Sequence, residues 1–324
     1  MTSTSQTNST VLVTGGSGYV GAWCAVRLLQ AGHKVRATLR SLARADEVRA
    51  MIARETDPAG LSFSVADLTK DSGWGEAAAG CRYALHVASP MSPSDIPGPQ
   101  AIAVARDGAL RVLRACAEAG VQRVVMTSSS AAARPPLGQI ADEGIWTELQ
   151  ENPTNPFEIY GQSKTIAERA AWHFVAGLGG RMELATLLPV MIEGPVLGHD
   201  YALSVELIAE MMRGRTPQYP TPGIQMVDVR DLADLHLTAM TATEAAGERF
   251  LATAEYVSFA DAAQVLRKHF GRRLPIPTLP TPTEVAAMWN SSKAFERLAW
   301  RARPMRETLI DTAESLLREG AVNG

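Results

Sequence analysis

From residue 11 to residue 21 the chain reads Val-Leu-Val-Thr-Gly-Gly-Ser-Gly-Tyr-Val-Gly. The apolar run Val11–Val13 predicts a buried strand, and the amphipathic pattern from about Tyr19 to Ala31 predicts a helix that ends at Gly32. A glycine-rich turn joins the two. This order of strand, turn and helix is typical of the first unit of a parallel α/β sheet.

The glycines of this turn have separate roles in such a unit. Gly15 permits the tight turn, Gly18 lets the backbone approach a pyrophosphate, and Gly21 lets the helix pack close to the sheet. The helix N-terminus faces the phosphate charge. A merely flexible turn is the alternative, but the position directly after the first strand favours a dinucleotide site. We expect its contacts to come from Thr14, Gly15, Gly18, Tyr19 and Val20.

Short β-branched runs alternate with helical patterns through the first 190 residues, which predicts a Rossmann-type, doubly wound parallel sheet. The predicted strands after the first are Val35–Leu39, Leu61–Val65, Tyr83–Ala88, Arg123–Thr127 and Leu184–Leu188. The predicted helices between them are Ala101–Ala119 and one that begins near Tyr160. The last strand of the series stops at Pro189.

After Pro189 the composition changes: prolines cluster and the predicted helices are short. Phe259–Phe270, with Ser258 as N-cap, is one such helix, and a final helix lies between Pro304 and Gly320. We therefore expect a dinucleotide-binding domain over residues 10–189 and a smaller substrate lobe over residues 190–324. Residues of about 225–250 are expected to return to the first domain.

The composition is that of a globular enzyme. The chain has 324 residues, of which 46% are hydrophobic and 20% charged, and its net charge of -3 favours neither nucleic acid nor an anionic membrane. Three widely spaced cysteines predict free, mostly buried thiols. A polar N-terminal stretch and the absence of a long apolar run predict a cytoplasmic protein, and the scarcity of lysine beside arginine indicates a bacterial coding bias.

The end of the second predicted strand indicates which dinucleotide binds. An NAD site favours an acidic residue there, for the ribose 2′-hydroxyl. The chain instead has Arg40 and Arg44, and no carboxylate until Asp46. Guanidinium groups bind phosphate through paired hydrogen bonds, so the sequence predicts NADP(H). Two solvated arginines in an arginine-rich protein are the alternative.

Two further strand ends are expected at the same edge of the sheet. Asp67 and Leu68 follow the third strand and are candidates to flank the adenine. Val87, Ala88 and Ser89 end the fourth strand, where ligands bind in such folds. Plain strand-end structure is the alternative for both.

A hydroxyl, a phenol and an amine are expected to meet near the nicotinamide. Tyr160 and Lys164 are one helical turn apart on one face, and the hydroxyls of 127–130 end the fifth strand. Carbonyl reduction needs a hydride on carbon and a proton on oxygen. A tyrosine, whose pKa is ordinarily about 10, can donate that proton if a nearby cation such as Lys164 lowers its pKa. A serine hydroxyl would stabilise the developing negative charge.

Other kinds of site find less support. His86 lies inside an apolar strand and is expected to be a core histidine with a hydrogen-bond partner. The remaining histidines have no metal-ligand spacing, so no metal site is predicted. The serine-hydrolase pattern Gly-x-Ser-x-Gly is broken at residues 15–19.

The chain resembles the extended short-chain dehydrogenase/reductase superfamily. Within it, the chain is most similar to the dihydroflavonol-reductase and cinnamoyl-CoA-reductase branch, which includes microbial carbonyl and methylglyoxal reductases. The resemblance covers about residues 10–320. It rests on Thr14-Gly15-x-x-Gly18-x-x-Gly21, the segments 35–40, 86–90 and 127–129, Tyr160-x-x-Ser163-Lys164, Asp142-Glu143, Glu193-Gly194-Pro195, 227–231 and 290–293.

The resemblance implies roles for individual residues. Ser129 matches the catalytic serine, Tyr160 the acid and Lys164 its partner, while Pro189 and Val190 would line the nicotinamide. The chain departs from its relatives in two places. Leu188 stands where they usually have Asn, and Ser130 adds a second hydroxyl beside Ser129, so either serine is a candidate for the catalytic one.

The resemblance also implies a substrate between the sheet edge and the C-terminal lobe, and hence NADPH-dependent reduction of a ketone or aldehyde. The mostly apolar candidate wall, which favours an aryl or alkyl carbonyl compound, consists of Pro90, Met91, Ser130, Ala131, Ile192, Tyr201 and Met226. A sugar-nucleotide epimerase or dehydratase is the main alternative, and a non-catalytic NADPH-sensing regulator is another. A small carbonyl compound is the expected partner, and a second copy of the chain, in a homodimer, is a candidate one.

Overall fold

A computed structural model describes residues 9–89, 99–136, 138–282 and 288–322. The strands within these ranges are β1 (Thr10–Thr14), β2 (Lys34–Leu39), β3 (Leu61–Val65), β4 (Tyr83–His86), β5 (Arg123–Thr127), β6 (Glu183–Pro189), β7 (Met191–Glu193), β8 (Gly223–Asp228), β9 (Arg249–Ala252) and β10 (Tyr256–Ser258). The helices are α1 (Tyr19–Gln30), α2 (Ala45–Ala53), α3 (Trp74–Ala78), α4 (Pro99–Glu118), α5 (Pro156–Ala176), α6 (Leu203–Met212), α7 (Val229–Thr241), α8 (Phe259–Phe270), α9 (Ser292–Leu298) and α10 (Met305–Arg318).

Seven of the strands form one parallel sheet in the order β3-β2-β1-β4-β5-β6-β9. The strand order reverses at β1, which lies between β2 and β4. In such sheets the crevice outside the carboxyl ends of the strands at this switch point is where ligands bind. The predicted Rossmann-type doubly wound fold is confirmed.

Helices cover both faces of this sheet because its strands are apolar on both sides. Along β1, Val11 and Val13 face a core that includes α1, α2 and α7, whereas Leu12 faces a second core with α3, α4 and α5. Successive side chains of a strand point to opposite faces, so a continuous apolar run fits a strand that is buried twice.

A small second sheet begins the C-terminal part. In it, β8 pairs in parallel with β7 and antiparallel with β10. Helices α6, α8 and α10 pack against these strands and extend the α1 core. The chain then returns to the main sheet, where β9 pairs with β6, and α7 packs against α1. The boundary between the two predicted domains stays a prediction.

The predicted elements differ from the structure mainly at their ends. The fourth strand was expected to reach Ala88 but ends at His86, because the Ala88 amide donates to the Thr14 hydroxyl instead of to a strand neighbour. Helix α5 begins at Pro156, four residues before the expected start. A capping box between Asn155 and Glu158 and the proline at the first helical position explain that start.

Two further properties follow from the burial of the chain. Cys24, Cys81 and Cys116 are buried, free thiols, as predicted. No helix in the described ranges combines the length and apolar character needed to cross a lipid bilayer.

Glu193 is a buried carboxyl group at the end of β7. It is 0% exposed, and neither of its oxygens has a hydrogen-bond partner among the described residues. Burial raises its pKa well above the usual range, and the carboxylate of Asp228 raises it further. The folded state holds this group in its protonated form. The free energy of unfolding therefore falls as the pH rises above the usual carboxyl range.

We predict that Glu193→Gln raises the unfolding midpoint, and by more at pH 8 than at pH 5, because an amide needs no proton to remain neutral. Thermal unfolding at several pH values measures this difference. Glu151→Gln, at an exposed position, is the control and should change little. A difference that is the same at pH 5 and pH 8 would show that folding does not raise the pKa of Glu193.

Candidate active site

The glycine-rich turn is held by contacts that leave no room for a side chain at Gly16 or Gly21. Gly15 has a φ of 72°, and its amide donates to the Thr38 hydroxyl at 3.1 Å. A Cβ on Gly16 would lie 2.5 Å from that of Ala37, and a Cβ on Gly21 would lie 2.2 Å from the Gly15 oxygen. The roles predicted for Gly15 and Gly21 match these contacts. The close contact at Gly16 was not foreseen, because it depends on packing against β2.

Thr14 links this turn to the end of β4. Its hydroxyl accepts from the Ala88 amide at 2.9 Å and lies 2.9 Å from Nδ1 of His86. Burial, with a smaller effect from the Lys164 charge, lowers the pKa of His86 to about 3. His86 is therefore a neutral core histidine with a hydrogen-bond partner, as predicted.

Ser129, Tyr160 and Lys164 lie together at the carboxyl end of β5. The Tyr160 hydroxyl donates to the Ser129 oxygen at 3.3 Å, and the Lys164 ammonium nitrogen lies 5.8 Å from the centre of the Tyr160 ring. The Ser129 oxygen also accepts from the Ala131 amide at 3.2 Å, where it caps a short 3-10 turn over residues 130–132. Both bonds use Ser129 as an acceptor, so its hydroxyl hydrogen remains available to a ligand oxygen.

The neighbouring hydroxyls have other partners. Thr127 bonds to Nε2 of His236 at 2.7 Å, and Ser128 donates to Glu168 at 2.6 Å. Ser130 is buried beside Ser129. The tyrosine therefore bonds to the serine that the family pattern favours.

Residues 11–252 match the family described as "NAD dependent epimerase/dehydratase family". The chain belongs to this family.

Several proteins to which the chain is similar are named as reductases. Dihydroflavonol 4-reductase of Zea mays is 32% identical over 268 residues, which are 81% of this chain and 74% of that protein. Cinnamoyl-CoA reductase 1 of Petunia hybrida is 31% identical over 322 residues, 96% of this chain and 92% of that one. The crystal structure of a yeast methylglyoxal/isovaleraldehyde reductase complexed with NADPH is 25% identical, with a TM-score of 0.83 over 96% of this chain and 99% of that one.

The two arginines after β2 differ in their surroundings. Arg40 is exposed at the end of the strand, near Asp67, whose pKa is lowered chiefly by a bond from the Thr69 amide and further by the Arg40 charge. Arg44 pairs with Glu47 at 2.7 Å and with Asp200 at 2.5 Å. Arg44 can therefore bind a phosphate only if the phosphate replaces these carboxylates as its partner.

The other predicted cofactor residues follow β3 and β4 or lie at the start of α1. The Leu68 carbonyl accepts from Arg111, and Val87 and Ser89 are half-buried after β4. Val20 is half-buried in the first turn of α1. The Tyr19 side chain is buried and donates to the Gly194 carbonyl at 2.7 Å, so only its backbone faces the turn.

Burial changes the proton affinities of the tyrosine and the lysine in opposite directions. It raises the pKa of Tyr160, and the bond to Ser129 lowers that pKa in part. It lowers the pKa of Lys164 to about 8, against the opposing effect of Glu168. The expected lowering of the tyrosine pKa by Lys164 is not seen, because desolvation of the phenol outweighs the other effects.

The predicted wall residues are spread over several environments. Ala131 is buried in the 3-10 turn, Ile192 is half-buried in β7, and Met226 is 0% exposed in β8. The Tyr201 hydroxyl donates to Glu206 at 3.1 Å. Pro90 and Met91 lie outside the described residues. Of the residues predicted to line the nicotinamide, Pro189 pairs with Ala252 and Val190 is buried, as is the neighbouring Leu188.

An aromatic cluster beside Tyr160 was missed at the level of sequence. Tyr219 packs edge-to-face against Phe157 and Phe259, with ring centres 6.0 and 6.2 Å apart. Burial, chiefly, raises the pKa of Tyr219; the Arg134 charge lowers it, and Tyr160 raises it. Phe157 precedes Tyr160 by three residues and so shares its face of α5, a spacing that could have revealed it. Tyr219 lies far from α5 in the chain, and no local sequence pattern indicated that its ring would join this cluster.

Within the described ranges, no group of three or more His, Cys, Asp or Glu side chains is arranged to hold a metal ion.

We predict that two glycine substitutions in the turn have separable effects. In Gly18→Ala the new Cβ meets only the Gly15 oxygen, at 3.4 Å, so the fold should survive. Dinucleotide affinity should fall about tenfold or more, since lost contacts to a phosphate cost ~1.5–3 kcal/mol. Gly21→Ala should instead lower the unfolding midpoint by several degrees, because of its close contact with the turn.

Thermal unfolding and a fluorescence titration of the dinucleotide measure the two effects. Unchanged dinucleotide affinity in Gly18→Ala would mean that the pyrophosphate does not lie on this turn.

Proposed function

We propose that the chain catalyses the NADPH-dependent reduction of a ketone or aldehyde to an alcohol, with Tyr160 as proton donor. The observation that supports this most directly is the bond between Tyr160 and Ser129 at the carboxyl end of β5, beside the buried Lys164. This edge of the sheet also carries the glycine-rich turn, so a carbonyl group held by the two hydroxyls would lie beside a bound nicotinamide.

The enzyme class and the cofactor follow from the family and its reductase members. The chain is an oxidoreductase that uses NADP(H), as the sequence predicted. The turn fits this cofactor, since nothing but the Gly15 oxygen would meet a side chain at Gly18 and the Arg40 cation stands where a 2′-phosphate is expected.

When bound, the cofactor supplies the hydride that the carbonyl carbon receives. Ser129 donates a hydrogen bond to the carbonyl oxygen and stabilises the charge that develops there. Tyr160 keeps its proton at neutral pH, because its pKa is raised, and gives it to that oxygen as the negative charge appears. Lys164 binds the nicotinamide ribose and favours the tyrosinate that remains.

The candidate substrate is an aryl or alkyl carbonyl compound rather than a sugar. The rings of Phe157 and Tyr219 lie near Tyr160, and Ala131 adds an apolar contact. Such a surface favours a flat, apolar group over a polyhydroxylated one. In this proposal the substrate lies between the sheet edge and the part of the chain after Pro189.

The two alternative functions are less well supported by the site. An epimerase or dehydratase of this family that retains NAD would favour a carboxylate at the end of β2, where this chain has Arg40. A sensing regulator without catalysis would not need a buried lysine beside the tyrosine, since burying an ammonium group is costly.

We predict that Tyr160→Phe keeps the fold and NADPH affinity but lowers turnover by about 10²–10⁴, the usual effect of a positioned acid. Ser129→Ala should cost roughly 10²–10³, as for the loss of one donor to an oxyanion. Steady-state rates with a reactive aldehyde, together with a fluorescence titration of NADPH, measure both. Ser130→Ala is the matched control for the serine. Near-normal turnover in Tyr160→Phe would disprove the proposed proton donor, and a larger effect at Ser130 would move the role by one residue.

We predict that Asp200→Asn tightens NADPH binding and leaves NADH binding unchanged, because Asp200 competes with the 2′-phosphate for Arg44. An exposed ion pair contributes ~0.2–1 kcal/mol, so the dissociation constant should fall by about 1.5–5-fold. Asp234→Asn on α7, which breaks the pair with Arg27 on α1, is the control and should alter neither affinity. Equal tightening of both cofactors would show that Arg44 does not read the 2′-phosphate.

A further inference from the structure

Glu168 carries a buried negative charge on the helix of the candidate active site. It lies on α5, one turn after Lys164, and is 0% exposed. Its two oxygens accept hydrogen bonds from α5 itself and from three strands of the main sheet or their ends. The donors are Ser128 (2.6 Å), Thr186 (2.7 Å), Arg249 (2.8 Å) and Trp172 (3.3 Å).

These contacts join the two elements that carry the reacting groups. Ser128 directly precedes Ser129, so its bond to Glu168 fixes the end of β5 against α5. Tyr160 and Lys164 lie on the same helix as Glu168, at spacings of eight and four residues, which places all three on one face. A displacement of Glu168 would therefore alter the distance between the serine and the tyrosine.

We propose that Glu168 is a positioning residue of the reductase site, which holds α5 against the end of β5 and supplies the negative charge that balances the buried Lys164 ammonium group. This inference rests on the proposed function, since it concerns the same three residues.

The groups around Lys164 explain why the charge of Glu168 matters. Burial disfavours the ammonium form of Lys164 and Glu168 favours it, which leaves the pKa at about 8. The other titratable neighbours are Tyr160 on the same helix and His86 on β4, both in their neutral forms at pH 7. Arg249, on β9, faces the carboxylate of Glu168. Loss of the Glu168 charge should therefore let Lys164 lose its proton at a lower pH.

The test compares two variants that break the same ion pair. Glu168→Gln removes the negative charge and keeps the shape of the side chain, whereas Arg249→Gln removes the positive charge. Both should lower the unfolding midpoint, because each leaves one buried partner without its counter-charge. A purely structural pair would predict the same kinetic effect for both.

The distinguishing measurement is the pH dependence of kcat/KM for NADPH-dependent reduction, which reports groups of the free enzyme. We expect an alkaline decline near pH 8 in the unaltered protein, as Lys164 loses its proton. In Glu168→Gln the midpoint should fall by about 1 unit, the lower end of what a neighbouring charge contributes. In Arg249→Gln it should stay in place or rise.

The double variant Glu168→Gln/Arg249→Gln covers the case in which the single change unfolds the chain. With both charges removed it should recover much of the unfolding midpoint, yet keep the lowered alkaline midpoint. If the midpoint of the alkaline decline in kcat/KM is unshifted in both Glu168→Gln and the double variant, the inference is overturned. In that case a large loss of turnover in Tyr160→Phe would still leave the proposed function intact. Normal turnover in Tyr160→Phe and Lys164→Ala would instead remove the proposed function itself.

Discussion

The buried pair of Glu168 and Arg249 holds together the elements that carry Ser129, Tyr160 and Lys164. Burying a single charge costs several kcal/mol, so neither residue can take its place until the other is present. Arg249 also donates to the carbonyls of Glu143 and Ile145, and its guanidinium lies 3.6 Å from the centre of the Trp146 ring. The last strand of the sheet, the helix with the tyrosine and the segment before that helix are therefore held in one arrangement. The arrangement of the site therefore depends on β9, whose Arg249 follows Lys164 by more than 80 positions in the chain.

The sequence predicted the parts of the fold that depend on local pattern. The strand before the glycine-rich turn, the first helix and the helix at Phe259–Phe270 are found where their apolar spacing and capping residues place them. It also predicted that Ser129 and Tyr160 meet, because strand ends of a parallel sheet share one edge. It did not predict the partners of Arg44, or the ring of Tyr219 beside the site. Those contacts join segments far apart in the chain, and no local pattern encodes them.

Burial moves the proton affinities of the two titratable groups of the site apart. The phenol of Tyr160 becomes harder to ionise and the ammonium group of Lys164 easier to neutralise. Both changes favour neutral forms, which is the expected effect of a low-dielectric crevice. Reduction needs a proton donor that keeps its proton in the resting site. The donor should lose that proton only when negative charge develops on the bound oxygen. In the proposed mechanism Lys164 is suited to this as well, because its charge would stabilise the tyrosinate at that moment.

The dinucleotide turn and the C-terminal part of the chain are joined by hydrogen bonds as well as by packing. On α1, Tyr19 donates to the Gly194 carbonyl and Trp23 to that of Pro195, while Arg44 reaches Asp200 a few residues later. The segment that follows β7 therefore lies against the same helix whose N-terminus is predicted to face the cofactor phosphates. A shift of this segment would move the start of α1 and the partner of Arg44 together. In the proposed reaction, substrate contacts after Pro189 and phosphate contacts at the turn would consequently not be independent. A cofactor bound at the turn would help to fix the wall against which the carbonyl compound is held.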